Sequence, residues 1–105
     1  MGSSRTVYIA PGPPPAAVRA AAEAWFRINA PRHRPQFDRL DGTTDTEAPG
    51  FAFLVDIYDG DEKRRDAIAV ALVAHLRACL DVEVVDDDEI SRREVASRET
   101  PTDPA

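Results

Sequence analysis

Four acids stand where an apolar run ends and the next segment begins: Asp56, Asp59, Asp61 and Glu62. A carboxylate at a strand end beside a helix start is one way proteins hold Mg²⁺. Such a site also needs a second carboxylate-bearing strand or a phosphate-cradling glycine loop, and the chain has neither. The same acids suit the first turn of a helix, where unpaired N–H groups and the positive dipole end favour carboxylates. Asp86-Asp87-Asp88-Glu89 lacks calcium-loop spacing and reads as a solvated acidic end. His75 and Cys79 stand one helical turn apart, but zinc takes three or four ligands. The bland reading is a packing histidine beside a buried thiol that behaves as a small hydrophobe. No metal site and no cofactor are expected, and nothing in the spacing demands catalysis.

These residues need elements to position them. The β-branched and aromatic residues 6–10 form a short strand stopped by Pro11-Gly12. Prolines 13–15 lead into a helix over about residues 15–29, with Ala17, Ala21, Ala24, Trp25 and Ile28 on one face. Residues 36–40 are short and polar, as an edge strand tends to be. A polar loop spans residues 41–50. Residues 51–58 are the clearest strand, nearly all apolar and therefore central. A second helix covers about residues 61–80, and alternation predicts a last strand over residues 81–85.

The order strand–helix–strand–strand–helix–strand predicts an α+β domain. Its expected form is the ferredoxin-like plait (βαββαβ), a four-stranded antiparallel sheet with two helices on one face. Residues 1–90 would form this single domain, and residues 91–105 a polar, flexible C-terminal tail. Strand parity puts Phe51, Phe53, Val55 and Ile57 under the helices. It leaves Leu54, Asp56 and Tyr58, with Tyr8 from the first strand, on the open sheet face as the candidate binding surface.

Val7-Tyr8-Ile9 and Gly50-Phe51-Ala52-Phe53-Leu54-Val55 resemble the two ribonucleoprotein motifs of RNA recognition motif domains. The resemblance implies base stacking on Tyr8, Phe51 and Phe53. Pro49 stands where that family carries a basic residue, and Asp56 where it carries an aromatic. The plait order is also similar to that of dimeric α/β-barrel enzymes, among them cofactor-free oxygenases and cyclases. That likeness points to Trp25, Asn29, Tyr58 and His75.

Charge weighs against a polyanionic partner. The chain carries −6, distributed as +4 over residues 1–40 and −10 over residues 41–105. Arg32, Arg34 and Arg39 form at most a local basic patch, so nucleic acid is not the expected partner. Between Ala67 and Leu80 only His75 and Arg77 are clearly polar, so the second helix is apolar on most sides, which favours burial on more than one side and hence a homodimer. No stretch approaches the roughly 20 apolar residues that span a bilayer, so no membrane partner and a cytoplasmic location are expected. The leading expectation is a small non-enzymatic interaction protein that self-associates and binds a protein partner.

Overall fold

The computed structural model describes residues 4–40 and 50–99. The elements run β1 (Ser4–Ile9), α1 (Pro15–Asn29), β2 (Gln36–Arg39), β3 (Phe53–Tyr58), α2 (Glu62–Leu80), β4 (Val84–Asp86) and α3 (Asp87–Glu99). They form an α+β fold with a four-stranded antiparallel sheet in the order β2-β3-β1-β4.

Helix α1 starts at Pro15, whose missing N–H is no loss at a first turn. Its buried residues are Val18, Ala22 and Phe26, with Ala21 and Trp25 partly buried beside them. The buried face is therefore rotated by one position from the expected one. Ala24 faces water and Ile28 is 80% exposed. The larger Val18 and Phe26 decide which stripe meets the sheet, because burial scales with apolar area and alanine contributes little of it.

Helix α2 is capped by Asp61, whose side chain accepts the Arg64 N–H at 3.2 Å. It ends at Asp81, in the left-handed region at φ 54°, with the Asp81 N–H bonded to the Arg77 carbonyl at 3.0 Å. That turn takes up the residues expected to begin the last strand, so β4 starts only at Val84. Ile68, Leu72 and Leu76 fill the sheet side of α2, and both α1 and α2 pack over Val7, Ile9, Phe53, Val55, Ile57 and Val84. Val70 stays 64% exposed, and Ala67, Ala71, Ala74 and Ala78 also face water. Cys79 is exposed rather than buried.

Phe51 departs from the expected parity. The Ala52 N–H donates to the Ile9 carbonyl at 2.9 Å, while Phe53 is the register partner of Ile9. Two residues thus oppose one, the signature of a bulge. Ala52 and Phe53 both pack on the helix side, and the slip sends Phe51 to the opposite face. There it joins Tyr8 and Val85, with Leu54 and Ile90 at the margin.

Ile90 belongs to α3, which lies over β1 and β4. Residues 91–99 are helical where a flexible tail was expected, and residues 100–105 lie outside the described part, as does the loop at 41–49. The sequence hid this helix because it is held by charge. Asp86 accepts the Glu89 N–H at 2.9 Å, three acids occupy the first turn, and Glu89 pairs with Arg92 and Arg93, each at 3.2 Å. Capping, dipole and i,i+3/i,i+4 pairs each contribute a little.

Candidate functional site

Two surfaces bring polar side chains together. The first is the sheet face opposite α1 and α2. Leu54, Asp56 and Tyr58 share it with Thr6 and Tyr8, as alternation along β1 and β3 requires. The Thr6 hydroxyl donates to Asp56 at 2.6 Å, and the Tyr58 hydroxyl lies 3.5 Å from the Gln36 side-chain oxygen. Tyr58 is 51% exposed, whereas Tyr8 is buried against Phe51 and beneath α3. The expected binding surface is therefore divided: α3 covers the β1–β4 half, and the β2–β3 half carries Leu54, Asp56 and Tyr58.

The aromatics implied by the RNA-recognition resemblance do not share one face. Tyr8 and Phe51 form a tilted pair with centroids 6.1 Å apart, both buried. Phe53 stacks on Phe37 at 5.9 Å on the helix side. Of the residues suggested by the barrel-enzyme likeness, Asn29 and Tyr58 line one groove, described next, and the other two lie elsewhere. Trp25 packs edge-on against Phe26, and His75 Nε2 lies 3.2 Å from the Ala21 carbonyl and 3.5 Å from the Cys79 sulfur.

The second surface is a groove of about 740 Å³ between the α1–β2 connection and the β3–α2 turn. Asp59 organises it. Its side chain is only 5% exposed and accepts three partners: the Asp61 N–H at 2.7 Å, His33 Nε2 at 2.7 Å, and Arg64 through Nε at 2.6 Å and a terminal nitrogen at 3.0 Å. The Arg64 hydrogen bond, then the Asp61 N–H and His33, hold the Asp59 carboxyl well below the usual carboxylate range. An ionised Asp59 can only accept, so His33 Nε2 carries the proton between them. The other imidazole nitrogen, Nδ1, is buried and has no hydrogen-bond partner among the described residues. This pair ties two loops together.

Arg32 and Arg34 line the same groove, and Arg39, on β2, does not. The expected basic patch is thus two residues joined by a third, Arg64, that no sequence pattern singles out. Local spacing marks Asp59 only as part of a helix-capping group, and its bond to His33 crosses 26 residues that no such spacing connects.

A third cluster is structural. Arg5 sits on the helix side of β1, in the alternation with Val7 and Ile9, and is 8% exposed. Its guanidinium bonds Asp87 at 2.7 Å, Asp66 at 2.7 Å, Asp86 at 3.1 Å and Asp88 at 3.0 Å. Burial disfavours its charge, but the hydrogen bonds it donates to Asp87 and Asp66 and the field of Asp87 and Asp88 outweigh that and hold its pKa above the ordinary value. Alternation along β1 was the signal that could have found it. Among the described residues, no three His, Cys, Asp or Glu side chains converge as a metal site, and no helix is long and apolar enough to cross a membrane. Comparison with protein families, curated proteins and solved structures returned no match.

Proposed function

We propose that this chain is a non-enzymatic interaction domain that self-associates and binds a protein partner through the β2–β3 half of its sheet. We read the strand order β2-β3-β1-β4, with α1 and α2 on one face, as a ferredoxin-like plait extended by α3. The observation that carries the functional reading is the half-exposed Tyr58 beside Leu54 and Asp56, on a face that α3 covers only over β1 and β4. An exposed aromatic with an apolar body and a polar tip is a side chain enriched at protein interfaces.

Light scattering at tens of micromolar tests the proposal. The expected mass is twice that of the chain, and Tyr58→Lys should return it to one chain. Val70→Glu, on the exposed side of α2, should leave the dimer intact. A monomeric wild type would overturn self-association. Dissociation by Val70→Glu alone would move the interface to α2 and overturn the assignment to the sheet.

A further inference from the structure

The groove around Asp59 has a charge balance opposite to that of the whole chain. Three guanidiniums, Arg32, Arg34 and Arg64, line it against one carboxylate, on a chain of net −6. Asp59 is nearly sealed from solvent and already satisfied by His33, Arg64 and the Asp61 N–H. It cannot also neutralise Arg32 and Arg34. Those two are exposed and make no hydrogen bond or ion pair among the described residues. Arg64 is different: Asp59 clamps it through two nitrogens, which fixes the direction of its fork and leaves other N–H donors unused. A clamped guanidinium beside two unpaired ones is a preorganised anion receptor, because little side-chain freedom remains to be lost at the central donor.

The remaining walls describe the rest of the ligand. Ala30, Pro31 and Ile68 give the groove apolar lining, and Asn29 and Tyr58 line it as well. Its volume of about 740 Å³ lies in the range of small-molecule sites. We infer that this groove binds a small phosphate monoester with an apolar or aromatic body. The phosphate would lie among Arg32, Arg34 and Arg64, and the body against Ile68 and Pro31. A phosphate monoester carries close to two negative charges at neutral pH and three terminal oxygens. Those match the surplus of two positive charges and the three forks better than one carboxylate would. A polynucleotide is the poorer fit, because Asp38 and Asp56 on the nearby sheet face would repel its flanking phosphates.

Titration calorimetry with phenyl phosphate and with inorganic phosphate tests this inference at low salt. Phenyl phosphate should bind saturably, with inorganic phosphate weaker because it lacks the apolar body. Arg32→Gln and Arg34→Gln should each lose roughly tenfold in affinity, the effect of one charge-assisted hydrogen bond. Both side chains are exposed and have no partner among the described residues, so the variants should keep the wild-type melting temperature and the wild-type assembly state. That separates this site from the sheet interface. Absence of saturable phenyl phosphate binding at millimolar concentration would overturn the inference. Undiminished binding by the Arg32→Gln/Arg34→Gln double variant would overturn it as well. So would single-stranded oligonucleotides binding more tightly with length, which would point to a polyanion track.

Discussion

Replacing Arg5 by Met keeps most of the buried stem and removes only the charge, so the result reads the ion network rather than a cavity. Arg5 faces four carboxylates. They differ in how well water can replace it. Asp86 is 15% exposed, and losing a charge-assisted hydrogen bond there should cost about 1.5–3 kcal/mol. Asp66, Asp87 and Asp88 are open enough to hydrate, so each loss should be near the surface value of about 0.2–1 kcal/mol. The total is about 2–6 kcal/mol, which brackets the roughly 3–5 kcal/mol for breaking a buried pair. Urea denaturation at neutral pH measures it. A loss below about 0.5 kcal/mol, which is the size of an ordinary surface change, would refute the reasoning.

Two further outcomes follow from the packing and the site. Asp59 is held below its unfolded range, so its stabilisation is full above about pH 4 and is lost as pH falls through the lowered native value; Asp59→Asn should be less stable at neutral pH and show a shallower acid transition by circular dichroism, and identical acid profiles would count against the His33–Asp59–Arg64 tie. Phe26→Ala should destabilise by about 3–5 kcal/mol, whereas Ile28→Ala, at an exposed position, should stay within about 0.5 kcal/mol; the opposite ranking in denaturant midpoints would restore the helix face first expected for α1.

The chain's order of elements was legible because each carries its own signal: Pro15 opening α1, Asp61 capping α2, and the apolar run of β3. Parity along β3 placed Phe53, Val55 and Ile57 under the helices correctly. It failed at Phe51, because a bulge adds one residue without leaving a mark in hydropathy. The helical period was legible in α1, but counting alanines as equal to Val18 and Phe26 pointed the face one position away. Helix α3 escaped because charge and capping hold most of it, and hydropathy does not weigh those forces. The groove escaped for a different reason. Its parts come from two connections that no periodicity links, and only the bond from His33 to Asp59 brings them together.

The Arg5 network also orders events in time. Arg5 leaves the ribosome 82 residues before Asp87, an interval of roughly 4–16 s at ordinary synthesis rates of about 5–20 residues per second. At the start of that interval β1 is an apolar strand whose neighbours have not been made; β3 follows midway, and β4 only just before Asp87. A charge on its core-facing side is what keeps such a strand from pairing with the wrong chain. Once Asp86, Asp87 and Asp88 arrive, the same guanidinium becomes the peg on which α3 seats. One residue thus serves as a gatekeeper while β1 stands alone and as a fastener once α3 has been made.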